Sequence, residues 1–430
     1  MTGPPAADQH EPAAPAAGTW DSPLWRSLLP LGRDPVTGGY WRYSFTETDS
    51  QCRDWFFQAA RQRELRADRD RNGNLWAWRD PSDPGRAAGQ GGAGAIVTGS
   101  HLDSVPGGGA FDGPLGVVSA FAAIDLLRER GRIPVRPLGV VAFAEEEGAR
   151  FGVACLGSRL LTGAVSQEAA LALTDQDGIS LEQAMSGAGL DPRAIGPDPD
   201  LIGGIAALVE LHIEQGSSLD GLGAAVGIAE AIWPHGRWRL SFTGRADHAG
   251  TTKLADRRDP MLPYAATVLA ARRAAAAHGA LATFGKVTAT PGAANAICST
   301  VHAWLDARAP DESSLNKLVS LIIAAAQGAA ACHDVRVTSR RESFSPIVDF
   351  DLDLRDRLVR ALAARGIAAP ALPTGAGHDA GILAARLPTA MLFVRNPTGI
   401  SHAPAEHAEP ADCQAGVLAL AAVLDELACR

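Results

Sequence analysis

The sequence is informative first through what it lacks. It has six cysteines but no Cys-x-x-Cys pair, which argues against a redox motif or a thiolate zinc site of that spacing. The chain has a net charge of −9 and no cluster of Lys and Arg, so nucleic acid and anionic membrane surfaces are disfavoured as partners. No apolar run reaches the roughly 18 residues of a membrane span, and no signal-peptide pattern is found. These absences predict a cytoplasmic protein with reduced thiols.

Length and composition predict a globular protein of two domains. The chain has 430 residues, of which 46% are hydrophobic and 20% charged. Residues 1–18 are rich in Pro and Ala and are predicted to be a disordered tail. The interpretation is a first domain built from 19–225 and 342–430, with 226–341 inserted as a second domain. Within the first domain, the Gly/Pro/Ala-rich segment 80–94 is predicted to be a surface loop.

Polar residues with metal-ligand chemistry follow the apolar segments of the first domain. Because ligand sites of α/β sheets lie at the carboxyl edge of the strands, these polar residues are expected to converge. The segments predicted as strands are 95–99, 138–143, 207–213 and 389–394, and the residues at or after their ends are His101, Glu145 to Glu147, His212 and His402.

The inserted segment has a different pattern and contains none of these candidate ligands. Alternating strands and Ala-rich helices predict a small α/β domain. Its predicted strands are 238–242, 282–290 and 300–307, and its predicted helices are 262–277 and 311–331.

Imidazoles and carboxylates together are the ligands of a two-metal hydrolytic site. Divalent cations such as Zn²⁺ bind this mixture of nitrogen and oxygen without a thiolate. Asp103 can hold the second ring nitrogen of His101 from two residues away. Asp112 is predicted to cap the helix that begins at Gly113-Pro114, and it could bridge two cations. Of the adjacent Glu146 and Glu147, one can bind metal while the other acts as general base.

Each signal alone has an ordinary explanation. A single histidine is usually a polar residue with a structural hydrogen bond, and a run of three glutamates is usually solvated. Here the glutamates directly follow a buried strand, and every ligand type is found at a strand end. The combination favours a metal site.

These residues resemble the hydantoinase/carbamoylase branch of the M20 metallopeptidase superfamily. The resemblance extends from about Trp20 to Leu427. It implies a zinc-peptidase-like α/β catalytic domain, with a central mixed sheet flanked by helices, and a smaller inserted ferredoxin-like α/β domain that acts as lid and dimer contact. The matching stretches are GSHLDSVPGGGAFDGPLG (99–116), EEEGARF (145–151), ELHIEQG (210–216), DHAGTT (247–252), NAI (295–297), DAR (306–308), GAGHDA (375–380) and SHAPAEH (401–407).

The resemblance also implies a role for each matched residue. Two divalent ions, Zn or Mn with Co or Ni as further options, would be bridged by Asp112, and Glu146 would be the general base. His248 would polarise the scissile carbonyl. The other implied metal ligands are His101, Glu147, His212 and His402; the implied substrate-binding residues are Gln215, Asn295, Arg308, Gly377 and His378.

The resemblance further implies a homodimer through 226–341 and a small-molecule substrate with a linear ureido or N-acyl amide and a carboxylate. Allantoate is the first expectation, because 231–244 and 393–410 resemble proteins of that activity most. N-carbamoyl-L-amino acids follow, then N-formyl- or N-formimino-glutamate-like compounds. The chain departs from the branch at Lys253, where Pro is usual, and at Cys298-Ser299, where Pro-Gly is usual.

Two other classes of function are considered. A dipeptidase or aminopeptidase would cleave peptides and leave ureido compounds untouched. A catalytically silent, metal-binding scaffold would have no reason to keep both the ligands and Glu146.

Overall fold

The structure, a computed structural model, describes residues 22–79 and 93–429. The predicted tail at 1–18 and most of the predicted loop at 80–94 lie outside these ranges. The chain forms two compact units. Of the described residues, the first unit contains those up to Ala229, Phe350–Leu372 and those from Gly377 onward; the second contains Glu230–Asp349 and Pro373–Ala376.

The order of elements alternates strands and helices along most of the chain. The strands are β1 (Arg66–Arg69), β2 (Leu75–Arg79), β3 (Ala95–His101), β4 (Leu138–Phe143), β5 (Ile205–Ile213), β6 (Val226–Ile232), β7 (His235–Thr243), β8 (Asp247–His248), β9 (Leu281–Thr290), β10 (Ala296–Ile297), β11 (Thr300–Arg308), β12 (Arg336–Ser345), β13 (Val348–Asp349), β14 (Ala371–Thr374) and β15 (Thr389–Val394). The helices are α1 (Pro23–Leu28), α2 (Glu47–Gln62), α3 (Pro114–Glu129), α4 (Leu156–Thr162), α5 (Gln167–Leu171), α6 (Leu181–Gly187), α7 (Pro199–Gly204), α8 (Ser218–Leu222), α9 (Met261–Ala277), α10 (Glu312–Cys332), α11 (Leu352–Ala363), α12 (Asp379–Leu383) and α13 (Pro410–Ala428).

The large sheet is mixed, and its central strands are parallel. The strand order is β1-β2-β4-β3-β5-β15-β6-β13, and β14 also pairs with β6. Strands β4, β3, β5 and β15 run parallel to one another. Their carboxyl ends therefore lie along one edge of the sheet, which is the usual place for a site in an α/β fold.

Continuous apolar sequence explains why the central strands are buried. Strands β4 (LGVVAF) and β15 (TAMLFV) are buried at every position, as expected for parallel strands covered on both faces. Helices α3 and α13 pack on each other, and α3 also packs on β3, β4 and β5. Gly116 allows α3 to approach β5 closely, because a Cβ there would lie 2.1 Å from the Leu211 carbonyl oxygen.

The start of α3 corrects the prediction that Asp112 caps this helix. The N-cap is Gly113, which has a φ of 82° and provides no side-chain cap. A Cβ at Gly113 would lie 2.4 Å from the His101 ring, so glycine leaves space for that ring. The Asp112 carboxylate is thereby free to contact histidines instead of backbone amides.

The second unit contains a four-stranded antiparallel sheet with the order β12-β7-β11-β9. Along the chain the elements run β7, α9, β9, β11, α10 and β12, which is the β-α-β-β-α-β order of ferredoxin-like domains. Helices α9 and α10 pack on the sheet through an apolar cluster that includes Leu240, Phe242 and Leu318. A separate two-stranded sheet pairs β8 with β10.

Helix α10 differs from the expectation that no apolar run has the length of a membrane span. Within the described residues, this one helix is long and apolar enough to cross a bilayer by length and composition. The sequence pattern hid it because scattered polar residues such as Asn316, Lys317 and Gln327 interrupt the run. Its buried residues include Leu315, Leu318 and Ile322, which lie against the four-stranded sheet.

Candidate metal site

The parallel strands bring residues that are distant in sequence to one edge of the sheet. His101 is the last residue of β3 and pairs in register with Phe143, the last residue of β4. His212 lies near the end of β5, opposite Phe393 of β15. Glu145 to Glu147 follow β4 directly, and His402 lies in the loop after β15. The predicted ligands therefore converge as expected from strand topology.

A first group of potential ligands consists of His101, His212 and Asp112. Asp112 Oδ1 lies 3.5 Å from His101 Nε2 and 3.2 Å from His212 Nε2. The two ring Nε2 atoms are 3.4 Å apart. All three residues are buried, and their ligand atoms are close enough together to hold one metal ion.

A second group consists of Asp112, Glu147 and His402. The other carboxylate oxygen, Asp112 Oδ2, lies 3.4 Å from His402 Nε2, which in turn lies 3.4 Å from Glu147 Oε2. His402 has a left-handed backbone with a φ of 57°, which is uncommon for a residue with a side chain. Asp112 thus belongs to both groups and offers a different oxygen to each.

His378 and Glu210 form a third group with His212, and all three residues are buried. Glu210 Oε1 accepts a hydrogen bond from Ser100 Oγ at 2.8 Å, and Oε2 accepts one from the Ala380 amide at 2.9 Å. The His378 ring lies 4.6 Å from the His212 ring, and neither of its nitrogens has a hydrogen-bond partner among the described residues. His378 was expected to bind substrate, and the structure places it beside a predicted ligand.

Glu146 lies next to the first group. Its Oε2 is 3.7 Å from His101 Nε2, and the Cys155 thiol lies 3.5 Å from its Oε1. The Cys155 amide also donates to the Glu146 carbonyl at 2.6 Å. Glu146 is buried, and its Oε2 lies beside the first ligand group, a position that suits a general base. Nothing in the sequence pattern had indicated the contact with Cys155.

Asp103 has a different contact from the one predicted. Its backbone carbonyl, not its carboxylate, is the nearer partner of His101 Nδ1, at 3.1 Å against 3.6 Å. The carboxylate accepts hydrogen bonds from the amides of Glu146 at 3.2 Å and Glu147 at 3.0 Å. Asp103 therefore fixes the backbone of the acidic loop and orients the histidine through its main chain.

Glu406 is a contributor that the sequence pattern contained but did not identify. Its Oε1 accepts hydrogen bonds from the amides of Phe111 and Asp112, both at 2.9 Å. Glu406 lies in the SHAPAEH stretch, four residues after His402. It ties the backbone of Asp112 to the loop that carries His402.

Gln215 lies against Asp112 and His402. Its Nε2 donates to Asp112 Oδ2 at 2.8 Å and is 3.1 Å from His402 Nε2. Ser401 Oγ contacts the same carboxylate oxygen at 3.1 Å. Gln215 was expected to bind substrate; in the structure it lies at the second ligand group.

Burial and the close approach of carboxylates to imidazoles shift the pKa values of the cluster. Burial would raise the pKa of Asp112, but hydrogen bonds from His101, His212 and His402 hold it well below its usual value. The hydrogen bond to Asp112 is the main reason why the pKa of His402 rises to about 9. Burial raises the pKa of Glu147 to about 7 and that of Glu146 well above its usual value. Metal cations would compete with these protons, because ligands bind metals in their deprotonated forms.

The donor set fits divalent cations. Asp112 presents one oxygen to two histidines and the other to a histidine and a glutamate, so each side offers nitrogen and oxygen ligands. Zn²⁺, Mn²⁺, Co²⁺ and Ni²⁺ all bind such mixtures.

Three predicted residues belong to the second unit, among them His248 in β8. The amides of Gly250 and Thr251 donate to its Nδ1 at 2.9 and 3.1 Å. In the neutral ring the proton is consequently on Nε2, which is left to donate. The side chain is exposed.

Asn295 and Arg308 lie in the same unit. Asn295 is exposed and precedes β10, the partner strand of β8, so the local pairing brings it near His248. Arg308 ends β11 and forms an ion pair with Asp306, with Nε 2.9 Å from Oδ1. Gly377 is exposed in the first unit and directly precedes His378.

The chain is similar to a known protein family and to characterised proteins over most of its length. The model for peptidase family M20/M25/M40 matches residues 97–426. An N-carbamoyl-L-amino acid amidohydrolase from Geobacillus stearothermophilus is 36% identical over 401 residues, which cover 91% of this chain and 95% of that protein. An allantoate amidohydrolase from Bacillus subtilis (strain 168) is 34% identical over 339 residues, which cover 77% of this chain and 81% of that protein.

A solved structure is similar over nearly the whole length. The crystal structure of a hydantoinase/carbamoylase family amidase from Burkholderia ambifaria matches with a TM-score of 0.79 at 34% identity, covering 95% of this chain and 97% of that one. The family match covers most of the chain, and the ligand groups have the chemistry that metal-dependent hydrolysis requires. The chain therefore belongs to peptidase family M20/M25/M40, in its hydantoinase/carbamoylase branch, and is a metal-dependent amidohydrolase.

Proposed function

We propose that this protein hydrolyses a linear ureido or N-acyl amide group on a small molecule that also bears a carboxylate, using two divalent cations. The observation that carries the proposal is the division of the Asp112 carboxylate, whose two oxygens serve two separate ligand groups. His101 and His212 would hold one cation, and Glu147 and His402 the other. Asp112 would bridge them.

Glu146 would move the protons of the reaction. Bound cations supply a polarised carbonyl and a water of lowered pKa. Glu146 takes the proton from the attacking water as its oxygen bonds to the carbonyl carbon. The carbon–nitrogen bond then breaks, and Glu146 gives that proton to the leaving nitrogen. The burial of Glu146 suits both steps, because burial raises the pKa of its carboxyl.

Residues of the second unit would bind the rest of the substrate. His248 would donate from Nε2 to the carbonyl oxygen as negative charge develops there, a role supported by the two amides that occupy its Nδ1. Arg308 and Asn295 would receive the substrate carboxylate, since a guanidinium matches that anion with two parallel hydrogen bonds. Gln215, Gly377 and His378 would line the pocket.

Allantoate is the first substrate to test, and N-carbamoyl-L-amino acids are the second. Segments 231–244 and 393–410 support allantoate by resemblance. The higher identity and larger coverage of the N-carbamoyl-L-amino acid amidohydrolase support the second choice. N-formyl- and N-formimino-glutamate share the same amide and carboxylate and come third.

The test is a turnover screen of chelator-treated protein reloaded with Zn²⁺, Mn²⁺, Co²⁺ or Ni²⁺. Ammonia or amine release would be measured with allantoate, N-carbamoyl, N-formyl and dipeptide substrates. We expect turnover of at least one ureido or N-acyl compound and loss of activity without metal. Turnover of dipeptides alone would establish a peptidase. Full activity in the presence of EDTA would contradict the metal assignment.

A catalytically silent scaffold is the remaining alternative. It is disfavoured because Glu146 is retained beside a full set of ligands, and a protein that only bound metal would not need that residue. Metal binding without turnover of any compound in the screen would support it.

We also propose that the second unit forms a homodimer contact. Its helix α9 exposes Leu262 and Leu269, and β9 and β12 are the edge strands of its sheet. Sedimentation should give a dimer, and a Leu262→Glu/Leu269→Glu variant should be monomeric. Leu222→Glu, at an exposed leucine of the first unit, is the control and should remain dimeric. A wild-type monomer would contradict the proposal.

A further inference from the structure

Arg308 is held on two sides by its own unit. Its Nε donates to Asp306 Oδ1 at 2.9 Å, and its Nη2 donates to Asp306 Oδ2 at 3.4 Å. Its Nη1 donates to the carbonyl oxygen of Gly375. Asp306 and Arg308 lie two residues apart on β11 and so project from the same face of the strand. The guanidinium is thus fixed by a carboxylate on one edge and a backbone carbonyl on another.

A guanidinium has five N–H donors, and assigning a partner to each shows which edge of Arg308 is free. The Nε edge is taken by Asp306. Gly375 lies on the Cδ side of the group, because a Cβ at Gly375 would be 3.7 Å from Arg308 Cδ. This position favours the Nη1 hydrogen that faces Cδ as the donor to the Gly375 carbonyl. Within the part of the chain that the structure describes, the outer hydrogens of Nη1 and Nη2 remain without a partner, and they are parallel.

We propose that Asp306 is a positioning residue that makes Arg308 present only this outer edge, and so selects a planar anion that binds with two oxygens. The inference rests on the proposed function, in which Arg308 receives the substrate carboxylate. It adds the orientation and names the residue that sets it. A carboxylate matches two parallel N–H donors, whereas an anion or dipole offering one acceptor uses only half of the edge.

The charge of Asp306 works against the same binding step, which makes the inference testable. Asp306 neutralises much of the positive charge that would attract a carboxylate. A second cation, Arg237, approaches Asp306 Oδ2 at 3.4 Å, but its side chain is 64% exposed and largely screened by water. If Asp306 acted only through charge, its neutralisation would tighten carboxylate binding. If it acts by orientation, its neutralisation weakens that binding. The two accounts predict opposite signs.

The experiment compares KM and kcat of the metal-loaded enzyme and its Asp306→Asn variant. The substrates are the best carboxylate compound from the turnover screen and its carboxylate-free analogue. Asparagine has one acceptor oxygen and cannot accept both donors of the Nε edge. We expect KM for the carboxylate substrate to rise about tenfold, a typical coupling for residues in one hydrogen-bond network. We expect kcat, metal content and KM for the analogue to stay unchanged. A lower or unchanged KM for the carboxylate substrate overturns the inference.

A double-mutant cycle separates orientation from a general change in the sheet. In an Arg308→Lys background there is no planar fork to orient, so adding Asp306→Asn should change KM by less than about twofold. A full tenfold change in that background overturns the inference. Glu342→Gln is the matched control, because Glu342 is an ion-paired carboxylate on β12 that contacts Arg340 and Trp304 instead. It should leave KM unchanged.

Two further variants keep the outcome decisive. If Asp306→Asn does not fold, Asp306→Glu preserves the charge and changes only the reach. If Asp306 acts by orienting Arg308, this variant should have a higher KM for the carboxylate substrate. If Asp306 acts only through its charge, that KM should not change. Arg308→Ala separates the two proposals. If it leaves KM for carboxylates unchanged, the proposed carboxylate site is wrong and this inference is wrong with it. If it raises KM while the Asp306 variants do not, only this inference is wrong.

Discussion

The two compact units differ in how far most of their candidate functional residues are buried. In the first unit, His101, His212 and Asp112 are buried and contact one another directly, and His402 is the exposed member of the second ligand group. In the second unit, His248 and Asn295 are exposed, and Arg308 keeps a free edge. Buried residues that contact one another form a site that is ordered before substrate binds. Exposed hydrogen-bond donors remain available to a substrate. This difference supports the proposal that the first unit holds the metal and that the second unit supplies donors to the carbonyl and carboxylate of the substrate.

The largest effect is expected from Asp112→Ala. Because Asp112 belongs to both ligand groups, its removal should reduce bound metal at both positions and lower kcat/KM by about 10⁴-fold or more, since each cation is worth several kcal/mol. Elemental analysis and steady-state kinetics measure the two effects. Asp177→Ala, at an exposed aspartate of the same unit, is the control. Retained metal with normal activity would show that Asp112 is not the bridge.

Glu146→Gln should separate catalysis from metal binding within the first unit. The amide keeps the shape but cannot accept the proton, so kcat should fall by about 10²–10⁴-fold with metal content unchanged. Elemental analysis measures the metal content, and steady-state kinetics measure kcat. Loss of metal in this variant would mean that the roles of Glu146 and Glu147 are exchanged.

Arg308→Ala should affect substrate binding and leave the metal untouched. Loss of charge-assisted hydrogen bonds should raise KM for carboxylate substrates by about 10–100-fold, with no matching change for a carboxylate-free analogue. Arg340→Ala is the control on the same sheet, because Arg340 pairs with Glu342 and not with Asp306. An equal rise in KM for the carboxylate substrate and for its carboxylate-free analogue would contradict the proposal that Arg308 of the second unit binds the carboxylate.

The smallest effect is expected from Asp103→Asn. Asparagine cannot accept from both amides of the acidic loop, so metal affinity or activity should fall by about tenfold. Titration with a metal indicator measures this change. Asp198→Asn, at an aspartate that accepts a backbone amide away from the cluster, should leave metal affinity unchanged. An unaltered affinity in Asp103→Asn would show that these two hydrogen bonds do not influence metal binding.

The central strands could be predicted because a strand that is buried on both faces has a continuous apolar run in its sequence. The predicted strands 138–143 and 389–394 coincide with β4 and β15, and the predicted helix 262–277 differs from α9 by one residue. Strand ends then located the ligands, because parallel strands align their carboxyl edges.

Contacts between distant loops could not be predicted. Glu406 binds the amide of Asp112 across almost three hundred residues, and Cys155 reaches Glu146 through a left-handed backbone. No periodic pattern encodes either contact. The cap of α3 was wrong for a related reason: Asp112 is a good N-cap by residue type, but the histidines compete for its carboxylate and Gly113 takes the position. Tertiary contacts outweighed the local preference.

The most direct test of the account is anomalous diffraction from crystals of the metal-loaded enzyme, measured above and below the absorption edge of the added Zn²⁺ or Mn²⁺. A bridged pair of cations should give two peaks beside Asp112, one nearest His101 and His212 and the other nearest Glu147 and His402. A single peak, or peaks that do not contact Asp112, would contradict the assignment of a shared, bridged pair of cations.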